Sequence, residues 1–242
     1  MDNQQYGIEL PLSGRNGDKL MKLFFRFGQW VYIILIPIYL LMTLIRLFIT
    51  PAYAVFEYNR SYFPEDTYGF TQEERLKWAT YGINYLTNDE DISYLGNLTF
   101  DNGDPLFIES ELSHMEDVKN VIHGMILGWT VITFFMIAFI VFAFVSKQRK
   151  ALYMSTANGG WLSVILLAGI MLYIALDFDG LFTTFHHLFF QGDTWLFRYS
   201  DTLIRLYPIV FWRDVFIYVM GGTMVFGILL GVIGRRYVKT HE

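Results

Sequence analysis

Five histidines are the side chains in this sequence best suited to moving a proton near neutral pH. His114 stands between Ser113 and Met115-Glu116, and this Ser-X-X-Glu pattern reads as a capping box with Ser113 as N-cap. His114 would then be the first helical residue, where the positive end of the helix dipole disfavours imidazolium and leaves the ring free to act as a base. The same position also suits a solvated surface histidine. His186 is followed at once by His187, and only one of the two can easily face a given site. Carboxylates flank both candidates: Glu111, Glu116 and Asp117 around His114, Asp177 and Asp179 upstream of His186. A neutral histidine base, with a second imidazole to hydrogen-bond the reacting group, suits acyl transfer.

Most other chemistry is missing from the sequence. There is no cysteine, hence no disulfide framework, thiolate catalysis or cysteine-based metal site. No Gly-X-Ser-X-Gly elbow, His-Glu-X-X-His motif, phosphate-binding glycine loop or His-X4-Asp signature is present. The expectation is therefore an activity with no metal and no cofactor. His123 falls inside an apolar run and reads as a bundle-core residue, with haem ligation as its rival role. His241, at the tail, reads as solvated. Arg46 lies near the end of the first apolar run, where it either snorkels to the interface or binds a carbonyl or phosphate there.

The elements that must hold these residues are membrane helices. The chain has 242 residues, of which 54% are hydrophobic, 19% aromatic and only 17% charged, against about 25% charged in soluble domains. A net charge of −5 without a Lys/Arg stripe argues against nucleic acid as a partner. Runs near the ~20 residues needed to cross a bilayer predict four spans, at about 27–47, 118–145, 161–176 and 215–233. Pro37 lies within the first span and is expected to kink it. That span is also too long for a cleaved signal peptide.

Charge sets the expected direction. Arg15, Lys19, Lys22 and Arg26 precede the first span, Lys147, Arg149 and Lys150 separate the second and third, and Arg235, Arg236 and Lys239 follow the fourth. The positive-inside rule puts these segments, and both termini, in the cytoplasm. The segment 51–117 is acidic, with only Arg60, Arg75 and Lys77 as cations, and is long enough to need structure of its own. Thr71 and Glu74 open a predicted helix over 71–86, and the weak alternation after it, around Asn102-Gly103, predicts strands. This makes 51–117 a small extracytoplasmic α+β cap. The segment 178–214, rich in Phe, Trp, Tyr and Arg, reads as an aromatic interfacial segment, either a plain cover for the bundle or a wall for a site that receives lipid chains.

Three stretches resemble a family of small bacterial four-span membrane proteins that includes the lipoprotein intramolecular transacylases. They are His114-X-X-Asp117-Val118-Lys119, Phe185-His186-X-X-Phe189-Phe190, and Trp195-X-Phe197 with Asp201-Thr202-Leu203-Ile204-X-Leu206-X-Pro208. The resemblance implies an enzyme of the bacterial cytoplasmic membrane with its active face outside. Such an enzyme moves an acyl chain from the diacylglyceryl group of a lipoprotein's N-terminal cysteine to that cysteine's own α-amine, giving the lyso form. It further implies His114 and His186 as the catalytic pair, one as base and one as oxyanion or leaving-group partner, in either order. Arg46, Asp117, Phe189, Phe190, Trp195 and Phe197 would contact the substrate. The expected partners are the diacylated lipoprotein N-terminus and membrane lipid. A different class of function is also compatible with the sequence: an accessory subunit of a larger membrane complex, docking through its acidic cap and aromatic segment.

Overall fold

The computed structural model describes the backbone of residues 13–240 and the side chains of 19–240. His241 and the Arg15 side chain lie outside the described residues. Among the described residues nine helices follow in order: α1 (Ser13–Phe48), α2 (Pro51–Tyr58), α3 (Gln72–Tyr85), α4 (Ser93–Gly96), α5 (Glu109–Val145), α6 (Arg149–Leu176), α7 (Phe178–Phe189), α8 (Thr202–Leu206) and α9 (Ile209–Thr240). Among the described residues, four helices are long and apolar enough to cross a membrane: α1, α5, α6 and α9. Each is longer than its apolar run. Helix α5 begins at Glu109, α6 at Arg149 and α9 at Ile209, because polar residues that a hydropathy window rejects still continue the helix. Helix α1 runs through Pro37 without a break in its assigned span.

Contacts between the long helices fix their directions. Gln29 donates to Ser155 at 3.2 Å, Tyr32 pairs with Thr156, and Ile36 packs on Gly159, so α1 and α6 run parallel. Phe25 stacks on Phe139 and Tyr39 on Trp129, so α5 runs antiparallel to α1. Helix α9 descends against α6 through small residues. A Cβ on Gly160 would stand 2.4 Å from the Gly227 carbonyl oxygen, an approach open only to glycine. The start of α1, the α5–α6 turn and the end of α9 therefore share one end of the bundle, and the basic clusters collect there. Outward-facing residues such as Phe134, Leu127 and Ile165 leave a broad apolar surface on the helices, as a lipid solvent requires.

The other end carries the cap, built on one buried cluster. Tyr53, Tyr58, Ala79, Tyr85, Leu95, Phe107, Leu206 and Phe211 join α2, α3 and α4 to the first turns of α5 and α9. Helix α3 forms with the capping box that its sequence signals: Glu74 N–H donates to Thr71 Oγ1 at 3.2 Å, and Thr71 N–H donates to Glu74 Oε2 at 2.8 Å. The expected strands do not form. Among the described residues the segment yields a single antiparallel bridge, Thr99 to Pro105, across a turn with Gly103 at φ +86°. Pro105 has no N–H to extend the ladder, and Ser93–Gly96 folds as α4 instead of pairing. The aromatic segment 178–214 is helical over much of its length, as α7, α8 and the first turns of α9.

Candidate active site

Helix α5 starts earlier than the Ser113 capping box implied, which changes the setting of His114. Burial of Leu106 and Phe107 in the cap core carries the chain inward, and Ile108 is the extended N-cap. The Ile108 N–H donates to Glu111 Oε2 at 2.9 Å, so the acid three residues on is Glu111. Ser113 is left exposed within the helix, and His114 lies in the second turn, past the strongest part of the helix dipole. Its surroundings act through burial. The ring is 8% exposed, and its Nδ1 finds no hydrogen-bond partner among the described residues.

Glu111 has a second role that its sequence neighbourhood did not reveal. Its Oε1 accepts the Leu203 N–H at 2.7 Å, tying α5 to α8. Helix α8 is held from other sides as well. Thr202 Oγ1 donates to the Leu106 carbonyl, Tyr58 donates to the Leu206 carbonyl, and the Arg75 guanidinium donates to the Arg205 carbonyl at 2.7 and 3.0 Å. Tyr207 donates to the Ala79 carbonyl at 2.7 Å, and its hydroxyl fills the space that a Cβ on Gly82 would need. The loop 190–201 is thus anchored at its far end by buried bonds.

His186 comes from α7, whose first turn is capped by Asp177 accepting the Gly180 N–H at 2.9 Å. Its Nδ1 lies 2.8 Å from the Phe182 carbonyl oxygen, a contact that requires the proton on Nδ1 and leaves Nε2 as an acceptor. Burial pushes the His186 imidazole below the usual histidine range and His187 adds to this, against the opposing pull of the Phe182 carbonyl. Of the adjacent pair only His186 turns inward; His187 is exposed and meets the edge of Trp195.

The two inward rings meet. The centroids of His114 and His186 are 6.1 Å apart with an interplanar angle of 24°. Phe190 stands edge-on to His114 at 4.9 Å and lies 5.5 Å from His186. Phe197 covers His114 at 5.5 Å, while Trp195 and Phe182 lie 4.6 and 4.1 Å from His186. The Trp195 indole N–H donates to the Gly192 carbonyl at 3.2 Å, which fixes the ring. One imidazole with a free acceptor and a second alongside it, both in an aromatic box, can accept a proton and donate a hydrogen bond to the same reacting group.

Other residues singled out by the sequence lie elsewhere. Phe189 packs on Phe185 at 4.9 Å and is half exposed at the margin. Asp117 is exposed on α5, about one turn beyond His114. The Arg46 guanidinium stacks on Trp129 at 4.3 Å, about 20 Å of helix rise along α5 from His114. His123 is exposed rather than in the bundle core. Among the described residues no group of three or more His, Asp or Glu side chains is placed to share a metal ion.

Comparison with known proteins gives a consistent picture. The family model for the lipoprotein intramolecular transacylase Lit matches residues 30–212. A protein of Aquifex aeolicus (strain VF5), described as uncharacterized, is 32% identical over 212 residues, covering 86% of this chain and 95% of its own. Among solved structures, a histidine-to-arginine variant of the membrane integral lipoprotein intramolecular transacylase Lit from Bacillus cereus aligns with TM-score 0.68 and 21% identity. That alignment covers 95% of this chain and 98% of the other. A histidine-to-alanine variant of the same protein gives 0.67 and 20% over 93% and 98%. At such identities the structural likeness speaks for the fold.

Proposed function

The chain belongs to the lipoprotein intramolecular transacylase family, and on that premise we propose that it transfers an acyl chain from the diacylglyceryl group of a lipoprotein's N-terminal cysteine to the α-amino group of the same cysteine. The observation that carries this reading is the pair of buried imidazoles, 6.1 Å apart between centroids, inside an aromatic box. Amine and ester belong to one molecule, so holding them together supplies much of the rate, on the order of several kcal/mol.

The Phe182 hydrogen bond favours His186 as the base, the reverse of the order suggested by a helix-start His114. With Nδ1 committed to that carbonyl, His186 Nε2 accepts the proton of the attacking amine, whose pKa is ~7.7–8.0. The amine nitrogen bonds to the ester carbonyl carbon while His114 donates a hydrogen bond to the developing oxyanion. The carbon–oxygen bond to glycerol then breaks, and His186 returns the proton to the departing glycerol oxygen. Phe190, Trp195 and Phe197 exclude water from the reacting atoms, and the exposed Leu188, Phe189 and Leu196 give acyl chains an apolar approach from the bilayer.

The basic end of the bundle faces the cytoplasm of a bacterial cell, and the cap and histidines face outward. Expression with a reporter lipoprotein tests the function. Mass spectrometry of its N-terminal peptide is expected to show the N-acylated lyso form with the intact chain. An unaltered diacylated, free-amine peptide from a host with membrane-inserted protein would overturn the proposal.

A further inference from the structure

At the end of the bundle opposite the histidines, α1, α6 and α9 form a second built feature. A cleft of about 680 Å³ opens between α1 and α6, with Arg26 and Trp30 on one side and Asn158 and Trp161 on the other. A smaller cleft of about 370 Å³ holds Arg235 and Lys239, and Asn158 lines both. The two are also joined through Trp161, because the Arg235 guanidinium lies 5.4 Å from its ring centroid. Helix α6 alone separates Asn158 from the α7 end by about 27 Å of rise.

Three properties of these clefts specify a ligand. Arg26, Arg235 and Lys239 have no carboxylate partner among the described residues. Trp161 is packed against Gly231, where a Cβ would stand 2.7 Å from the indole nitrogen, so its ring is a fixed wall where the two clefts join. The wall toward the middle of the bundle is apolar, from Ile33, Leu162 and the outward-facing Ile165. Cations at the rim, with an apolar wall running along the bilayer direction, match an anionic headgroup carrying acyl chains. The two indoles that line the cleft, Trp30 and Trp161, are of the residue type that favours the interfacial region of such a headgroup.

We propose that this end of the bundle binds an anionic glycerophospholipid, its phosphate between Arg26 and Arg235 and its chains along the α1–α6 wall. Binding fastens the three helices at their basic end, where α6 meets both neighbours, and needs no reaction at the histidines.

Native mass spectrometry of the full chain in detergent tests this with dioleoylphosphatidylglycerol and dioleoylphosphatidylcholine at equal concentration. The intact protein is expected to retain the anionic lipid about tenfold more strongly. The double variant R26Q/R235Q is expected to lose that preference, while K77Q, on the cap, keeps it. Equal retention of the two lipids by the unaltered chain would overturn the proposal without need of any variant. An unchanged preference in R26Q/R235Q would place the site elsewhere and overturn it too. Displacement of the lipid by millimolar glycerol 3-phosphate would point to a free-phosphate site and contradict the lipid assignment.

Discussion

Glu111 accepts the Leu203 N–H at 2.7 Å, across 92 positions of sequence, and so joins the helix that carries His114 to the segment that ends the aromatic loop over it. The same carboxylate accepts the Ile108 N–H at 2.9 Å. Glu111 and His114 are three residues apart and share a helix face, so a shift at one is felt at the other.

Glu111 is therefore a positioning residue. E111A leaves the buried Leu203 N–H without an acceptor, at a cost of about 1–3 kcal/mol, and also frees the part-buried Ile108 N–H. The expected result is a melting temperature lowered by several degrees, with turnover per folded molecule down at least about tenfold, the reach of a small misplacement. E111Q keeps one acceptor and should fall between. Thermal unfolding in detergent, together with product formation normalised to folded protein, measures both; unchanged turnover in folded E111A would remove the role.

The proposed base sets the acid side of the pH profile. Protonated His186 cannot accept the amine proton, so its contribution to activity is complete above its pKa and is lost as the pH drops through it. Because burial holds that pKa below the usual histidine range, the His186 limb of kcat/KM is expected below pH ~6.5, on the acid side of the limb at which the substrate amine itself becomes protonated. His187 contributes to the lowering, so H187Q should move the limb upward by a fraction of a unit. The limb set by the substrate amine, near ~7.7–8.0, should not move. A pH profile on a synthetic diacylated lipopeptide reads both limbs.

The cap holds α8 through a buried ion pair. Arg205 Nη2 lies 2.9 Å from Asp66 Oδ2, and the guanidinium covers Phe70 at 3.6 Å. Burial works against ionisation of Asp66, yet the Arg205 hydrogen bond and the Phe70 N–H hold its carboxyl below the ordinary range. The unfolded chain thus takes up the proton first as the pH falls. The pair's contribution is complete above about pH 5 and is lost as the pH drops below the ordinary aspartate range. D66N leaves a buried guanidinium without its countercharge and should destabilise the protein by about 3 kcal/mol, measured by unfolding at pH 7.

How much of this could be read from residues alone depended on the distance over which each signal acts. The α3 capping box is local, and it formed as read. The two histidines and the aromatics Phe190, Trp195 and Phe197 share one site because the alternation of apolar runs put their segments at the same end. The start of α5 is not legible locally, because Ser113–Glu116 imitates a cap while the burial of Leu106 and Phe107 selects Ile108 instead. Sequence position indicates the depth of Arg46 but not its helix face, and its face turns to Trp129. Glu111 was visible only as a nearby acid, since its bond to Leu203 depends on tertiary folding.

Glu57 offers a pH dependence of opposite sign. It is fully buried beside Asp214, which accepts from Tyr62 and from Arg213 at 3.0 Å, while both Glu57 oxygens lack a donor among the described residues. Burial, then the nearby Asp214 carboxyl, pushes Glu57 up to about 7. The folded state keeps this proton after the unfolded chain has lost it. Stability from the group is therefore complete below about pH 4 and lost as the pH rises through 7. Between pH 5 and pH 8, E57Q should gain on the unaltered chain by on the order of 1 kcal/mol, about 2–4 °C in Tm. Parallel melting curves at the two pH values would show otherwise if the carboxyl were ionised throughout.

The central claim is that His114 and His186 act together on one substrate. Single-turnover conversion of a purified diacylated lipopeptide by the unaltered chain, H114A, H186A and the double variant tests it most directly. Each single variant is expected to lose at least ~10²-fold in rate while remaining folded, and the double variant to fall little further, because groups that act as a unit are non-additive. Conversion near the unaltered rate in folded H114A or H186A, or losses that simply multiply in the double variant, would contradict the paired mechanism.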